Sequence, residues 1–476
     1  MAIPDSSINK PVTTFSTQTQ QTKHPRLILT SVLLGAIMAF LDATMVNIAL
    51  VNIQRQQHTT LLMVSWVLNA YNLTFAILLI PVGWLADQFG RKRLFLVGIV
   101  LFGVGSLVCA FSPSIAWLIV ARAVQGCGGA ILSAVGLAII PTVFPPGEWR
   151  NTAMGIWGAA NGLAIAIGPV IGGALVQFLD WEWIFLINIP LCLVSLIMVF
   201  LYVPETKDEK ASKKIDTPGL LVISGTILCL VLAILQGNTW GWMSPGVLFL
   251  FAVALAGLVS FPLVEQKQAY PMVDVRLFRL RSFTEASVET LLFAVALMGA
   301  FVIFVLYLRD LGNNPLVAAL FLLPTPLTSF VVSLLASKIG RWASPRVAVS
   351  IGLGLLIIGL FCLSTLDSQL TLLDVSWRGA ILGIGMGLCF SNLPSFALSE
   401  VSPAQAGVAS GIFSTALQLG FTLGVATLIS VLASQHLSSL QHAFAVTWIV
   451  AALFAGGGLI VAALFSFKRF LVLSKT

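Results

Sequence analysis

Residues 83–94 read Gly83-Trp-Leu-Ala-Asp87-Gln-Phe-Gly90-Arg91-Lys92-Arg93-Leu94, a short charged turn between two long apolar runs. Gly83 and Gly90 allow a tight reversal of the chain. Asp87 is placed to cap a helix end or to pair with a cation. Three consecutive cations hold such a turn on one water face of a membrane. The flanking runs, 63–86 and 94–112, approach or exceed the roughly 20 residues that an α-helix needs to cross a bilayer. A helix, a basic turn and a second helix is the hairpin of a polytopic membrane protein.

The whole chain agrees with that hairpin. Its 476 residues are 58% hydrophobic and 9% charged, with a mean hydropathy of +1.00. A soluble domain carries about 25% charged residues, and a globule of this size has no room to hide so much apolar surface. A cytosolic enzyme, a secreted domain and a nucleic-acid-binding protein are therefore excluded. The six cysteines form no CxxC pair and the four histidines no HxxxH spacing, so neither a disulfide framework nor a metal site is expected. No GxxxxGK[ST] segment is present, which argues against a built-in ATPase. No cofactor is expected.

Fourteen candidate helices follow from the apolar runs: 28–51, 63–86, 94–112, 115–140, 152–178, 183–204, 217–236, 245–265, 283–308, 315–337, 346–366, 375–399, 405–433 and 443–467. Of the 25 Lys and Arg, 21 fall in one alternate set of loops and tails, three (Arg55, Arg309 and Arg378) in the other, and Arg122 inside a helix. The positive-inside rule then places both termini in the cytoplasm. The expected location is the inner (plasma) membrane, multi-pass. The net charge of +7 is thus a topology signal and not the mark of an anionic partner.

The chain also matches itself at an offset of 256. Residues 153–168 align with 409–424, six of the sixteen being identical, among them Gly155/Gly411, Leu163/Leu419 and Gly168/Gly424. This pairs the fifth helix with the thirteenth, so two six-helix halves must be separated by a two-helix insert. The expected organisation is a disordered cytoplasmic tail (1–26), an N-terminal six-helix bundle (27–204), a cytoplasmic linker (205–216), the two-helix insert (217–265), a second linker (266–282), a C-terminal six-helix bundle (283–467) and a cytoplasmic tail (468–476). Transporters often have two such halves, with substrate bound near the midplane between them.

The turn at 83–94 resembles the GxLaDrxGrkxxL signature of the major facilitator superfamily at every defining position. The resemblance implies a gating role for Gly83, Asp87, Gly90 and Arg91. Asp87 would face the start of a helix in the other half, here at Ser402-Pro403, and stabilise an outward-facing state. In helix five, Gly168-Pro169 followed by Gly172-Gly173 is similar to the antiporter motif of the superfamily's exporters. Close packing through small residues and a Pro kink would account for the same residues without any transport role. The stretch Leu41-Asp42-Ala-Thr44-Met-Val46-Asn47-Ile-Ala-Leu50 resembles the fourteen-helix drug:H⁺ antiporter branch, with Val51 where Pro is usual. Two further departures are the degraded second-half turn Ser337-Lys338-Ile-Gly340-Arg341-Trp342, and Leu417 where the branch carries a basic residue.

Two charges lie inside the bilayer in this reading. An unpaired arginine there costs at least about 2.5–3.5 kcal/mol, so Arg122 in helix four is a functional candidate by default. Its alternative is to snorkel to the outer surface. Asp42 in helix one lies at a similar depth, and the two are expected to share one polar network. Burial disfavours the charge of a carboxylate and a neighbouring guanidinium favours it, so Asp42 could load and release a proton. A permanent pair that merely holds two helices together is the alternative. By resemblance, Arg122 serves proton transfer. Glu285 and Glu289 near the start of helix nine are weaker candidates, because Arg281 stands four residues before Glu285 and is expected to pair with it. With no charge in the middles of helices ten to fourteen, proton chemistry is assigned to the N-terminal half. Asn47, Gln125, Asn392, Gln418 and Phe413 are candidates for the substrate cavity wall.

The function these readings point to is not enzymatic. It is proton-coupled export of small amphipathic compounds, of the multidrug efflux type, by alternating access. The alternative is a dedicated exporter of one metabolite, such as a siderophore or an amino-acid derivative. The partners are a small-molecule substrate, protons and the lipid bilayer, with a periplasmic adaptor in a Gram-negative host and no nucleic acid. The topology is directly testable: reporter fusions at Lys210 and after Thr476 should report cytoplasm, and one at Thr239 the periplasm. A periplasmic signal at Lys210 would contradict the fourteen-helix reading.

Overall fold

The structure, a computed structural model, describes residues 24–145, 147–207, 216–268, 270–310, 320–339, 344–366, 371–435 and 439–473. The expected tail up to residue 23, the loop around Lys210 and residues 340–343 of the degraded second turn lie outside them. Among the described residues no strand is present. The helices are α1 (Pro25–Gln56), α2 (Leu61–Phe89), α3 (Arg91–Ala110), α4 (Ile115–Val143), α5 (Glu148–Phe178), α6 (Trp183–Tyr202), α7 (Thr217–Trp240) and α8 (Pro245–Lys267). They continue with α9 (Arg281–Asp310), α10 (Pro324–Ile339), α11 (Pro345–Ser364), α12 (Leu372–Ala397), α13 (Ala406–Ser434) and α14 (Leu440–Leu473).

Thirteen of these are long and apolar enough to cross a membrane, among the described residues. The expected tenth span, 315–337, is represented by a shorter apolar stretch, Leu320–Leu335, preceded by residues that are not described. α6 is broken at Ile187, between Trp183–Leu186 and Asn188–Tyr202. Pro190 explains the break, since it has no N–H for the Leu186 carbonyl and its ring crowds that carbonyl. α14 runs to Leu473, past the expected end at 467.

The offset of 256 extends to the whole architecture. Ile115–Val143 shifted by 256 falls on 371–399, against Leu372–Ala397; Arg91–Ala110 falls on 347–366, against Pro345–Ser364. The packing repeats as well. α1 packs on α5 as α9 packs on α13, α2 on α4 as α10 on α12, and α3 on α4 as α11 on α12. α7 lies against α2 and α13, one helix from each set, and α8 packs mainly on α7.

The two sets meet through small residues. Gly83 of α2 lies against Gly407 of α13, Gly411 against the Leu79 carbonyl, and Gly158 of α5 against the Phe390 carbonyl of α12. A Cβ at any of these positions would collide with backbone, which cannot move aside. Without a hydrophobic driving force in lipid, close backbone approach of this kind holds helices together.

Candidate functional site

Asp42 and Arg122 are both 0% exposed and form an ion pair between α1 and α4. Arg122 Nη1 donates to Asp42 Oδ2 and to Gln125 Oε1 (2.6 Å), and its Nε donates to the Val67 carbonyl of α2 (3.0 Å). Gln125 Nε2 donates to Asp42 Oδ1 (2.9 Å) and Ser106 Oγ (2.7 Å). Asn188 Nδ2, next to the break in α6, donates to Asp42 Oδ1 (3.2 Å) and Ser106 Oγ (3.3 Å). The guanidinium lies 4.2 Å over the Tyr71 ring and 5.7 Å from that of Phe185. Five helices thus meet in one polar network, three of them at the Asp42 carboxylate itself. Arg122 does not snorkel; it turns into the bundle, where charge-assisted hydrogen bonds and a cation–π contact replace its hydration. Arg122 Nη2 and Asn188 Oδ1 are buried without a hydrogen-bond partner.

The sequence reading missed Ser106, Asn188 and Tyr71. Ser106 and Asn188 are lone neutral polar residues in apolar runs, a weak signal because such residues commonly bond their own helix, and Tyr71 sits among Asn69, Asn72 and Thr74 with nothing to single it out. Gln125, expected at the substrate wall, is instead sealed in this network.

α5 supports the network from behind. Gly168 faces Thr44 and Gly172 faces Met45, both on the turn of α1 that follows Asp42, whereas Gly173 faces open space. Pro169 lies inside the helix between them. In this arrangement the Gly-Pro segment seats α1 close to α5.

The second assembly lies at the basic end of the bundle, where the α2–α3 turn sits. Asp87 accepts from the backbone N–H groups of Gly407 (2.9 Å) and Val408 (3.0 Å), the first turn of α13. Those groups have no partner within their own helix, and the helix dipole favours an anion there. A 3₁₀ turn, Pro403–Gln405, leads into α13, and Ser402 makes no cap bond to it. The cap comes from the other half, 320 residues away in sequence. Arg91 Nη2 bonds both Asp87 Oδ1 (2.5 Å) and the Pro403 carbonyl (2.6 Å). Gly90 takes φ +109°, which only glycine adopts readily. Glu205 accepts from the Lys92 and Arg93 N–H groups (3.1 and 3.3 Å), capping α3. Arg150 Nη2 reaches the Leu398 carbonyl (2.9 Å). Among the described residues, every side-chain hydrogen bond joining α1–α6 to α9–α14 lies at this end.

Toward the opposite end, a narrow cleft with a cavity volume of about 30 Å³ is lined by Ile165 of α5 and by residues of the second set, including Met298, Phe301, Phe304, Thr325 and Met386. Thr325 is its one polar lining side chain. The expected wall residues lie elsewhere. Asn47 is exposed and bonds its own helix (Ala43 O, 3.0 Å); Asn392 is buried and bonds the Leu388 carbonyl (2.9 Å); Phe413 is buried; Gln418 is half-buried.

Two charges differ from expectation. Glu285 bonds Arg346 of α11 (2.7 Å), not Arg281, which is exposed at the start of α9. Arg378, assigned to an outer loop, lies inside α12, whose cap is Thr371. It pairs with Asp374 (3.2 Å), and its Nε and Nη1 are buried without partners. Arg122 shifted by 256 is Arg378, whereas Asp42 shifted by 256 is Met298 of the cleft.

The latch gives a direct test. Asp87→Asn weakens charge-assisted hydrogen bonds worth about 1.5–3 kcal/mol each, so transport should fall by about tenfold or more, with little loss of protein from the membrane. Near-normal transport by that variant would reduce the turn to a topological anchor.

Comparison with known proteins places these sites in a family. The Major Facilitator Superfamily profile matches residues 32–425. Relatives include the multidrug resistance protein Stp of Mycobacterium tuberculosis, 34% identical over 411 residues, covering 86% of this chain and 76% of the relative. The tetracenomycin C resistance and export protein of Streptomyces glaucescens is 32% identical over 408 residues, with the same coverages. The methylenomycin A resistance protein of Streptomyces coelicolor is 31% identical over 429 residues, covering 89% of each. The crystal structure of the human organic anion transporter MFSD10 (TETRAN) superposes with a TM-score of 0.71 at 16% identity, over 92% of this chain and 99% of that one. With fold and sequence in agreement, the chain belongs to the Major Facilitator Superfamily, among relatives that are multidrug and antibiotic resistance transporters.

Proposed function

We propose that this protein is a proton-coupled exporter of small amphipathic compounds, working by alternating access from an inner membrane with both termini in the cytoplasm. The observation that carries the reading is the sealed carboxylate Asp42, held by Arg122, Gln125 and Asn188 inside the first six-helix set. A carboxylate so placed exchanges its proton only when the packing around it changes, and that requirement couples protonation to conformation. The fourteenth span is supplied by the region of α10, and α7–α8 form the insert between the two halves. The gating role belongs to Gly83, Asp87, Gly90 and Arg91. Their latch closes the basic end while the apolar cleft faces the opposite way, the arrangement expected of an outward-facing exporter. The names of the relatives support export of antibiotics and drugs. A membrane potential supplies about 2.3 kcal/mol per charge per 100 mV, enough for one or two protons to drive substantial accumulation.

A second reading, a dedicated exporter of one metabolite, is favoured by relatives named for single antibiotics. A panel of chemically unrelated compounds separates the two.

Proteoliposomes with an imposed pH gradient test the coupling, using whichever of ethidium and puromycin the wild-type protein expels. Asp42→Asn, which mimics the protonated acid permanently, should bind the compound but lose gradient-driven efflux. Arg122→Ala should lose it as well, and Arg122→Lys should retain part. The double variant should lose no more than either single one, since the residues act as a unit. Undiminished efflux by Asp42→Asn would eliminate it as the coupling site; no efflux of either compound by wild type would remove the multidrug reading.

A further inference from the structure

A buried carboxyl of α9 belongs to neither assembly. Glu289 of α9 is 0% exposed, and neither of its carboxyl oxygens has a hydrogen-bond partner. It lies eight residues into the helix, about 12 Å along the axis from Arg281. An ionised carboxylate that deep, with no donor bonded to it, would be costly in a membrane-spanning helix; as a neutral acid it is tolerable.

Its surroundings narrow what it can bind. Glu285, one turn nearer the basic end, accepts from Arg346 Nε of α11 (2.7 Å). Arg346 Nη2 donates to the Ala462 carbonyl of α14 (3.1 Å), and its side chain is 20% exposed. From α12, Cys389 is within electrostatic reach. α13 carries no ionisable side chain. Asp374 and Arg378 on α12 and His442 on α14 stand toward the opposite end, and Arg276 and Arg279, before α9, are exposed. A metal ion would need several converging oxygens, and among the described residues no group of three His, Cys, Asp or Glu converges anywhere. The cation that fits a dry site with one free carboxyl is the proton.

We propose that Glu289 is a second proton-binding site, in the second half of the transporter, served by Arg346 moving between Glu285 and Glu289. The two carboxyls are one helical turn apart on the same face, within the sweep of one arginine side chain. As the guanidinium reaches Glu289, the acid O–H bond breaks and the proton leaves to water at the basic end. When Arg346 returns to Glu285, Glu289 takes a proton again. The Arg346–Glu285 hydrogen bond breaks as the one to Glu289 forms, Glu285 keeps its charge toward water at the basic end, and no covalent bond other than the Glu289 O–H changes. The proposal rests on the proton-coupled reading above and adds to it that each half carries its own proton.

Infrared difference spectroscopy on the full chain in lipid tests the site without any substrate. Wild type minus Glu289→Gln should show a carboxylic-acid C=O band at neutral pH that disappears on alkalinisation. Arg346→Ala should hold that band to higher pH. Absence of the band at every pH, or a band that never titrates, overturns the proposal. The proteoliposome arm counts protons. Loss of one proton lowers steady-state accumulation tenfold per unit of imposed pH difference, and Glu289→Gln should show that drop. Accumulation equal to wild type overturns the proposal. Should the glutamine variant fail to reach the membrane, Glu289→Asp carries both arms: a shifted acid band and an unchanged proton count support the site, and an unshifted band overturns it. A wild-type protein without coupling would fail the earlier reading alone, since the infrared arm still decides whether Glu289 titrates.

Discussion

An arginine and an aspartate cannot be left unpaired in the interior of a helical membrane protein, and the first half of this structure is organised around that constraint. Arg122 and Asp42 are on different helices, so their pairing fixes α1 against α4. Satisfying the remaining lone pairs and protons then recruits Ser106 from α3, the Val67 carbonyl from α2 and Asn188 from α6. A buried ion pair is weak support for stability, because desolvation offsets much of its Coulomb gain. In the proposed function its value is switchability, since the whole arrangement around Arg122 depends on the charge of Asp42.

The latch at the basic end obeys a related rule. The first N–H groups of a helix need acceptors, and α13 obtains them from Asp87 of the opposite half. Opening that end therefore exposes orphan donors until water reaches them. The two ends of the molecule divide the work, with directional polar bonds at the basic end and an apolar cleft toward the other. The two halves diverge in the same spirit. They share one packing plan, yet Asp42 and Gln125 correspond under the 256 offset to Met298 and Ile381, so the second half keeps an arginine, Arg378, and discards its carboxylate. The position of the buried carboxylate in the first half is cleft wall in the second.

Much of this was legible in the sequence because charge is rare in apolar runs. Asp42 and Arg122 stood out for that reason, and residues 83–94 because a contiguous turn carries its own geometry. The segment 153–168 exposed the repeat because glycine spacing governs helix contact. What could not be read depends on distance in the chain. Arg281 is the local partner of Glu285 by helical spacing, but it sits at the end of α9 facing water, while Arg346 comes from 61 residues away to meet the carboxylate. Asn188 and Ser106 look like ordinary polar residues until five helices converge on them. Arg378 was misplaced because Thr371, which accepts from the Asp374 N–H (3.1 Å), starts α12 before the strongly apolar run begins. The cleft wall had no signature at all, since Met298, Phe301 and Phe304 resemble any lipid-facing residues.

In the proposed function, the change of packing that accompanies substrate binding lets Asp42 exchange its proton. This is tested most directly by proton release from purified protein in weakly buffered detergent solution, on addition of a compound that the protein expels. The wild-type chain should give a burst of acidification at neutral pH that is lost or halved in Asp42→Asn. Equal acidification from both proteins, or none from wild type, would contradict it.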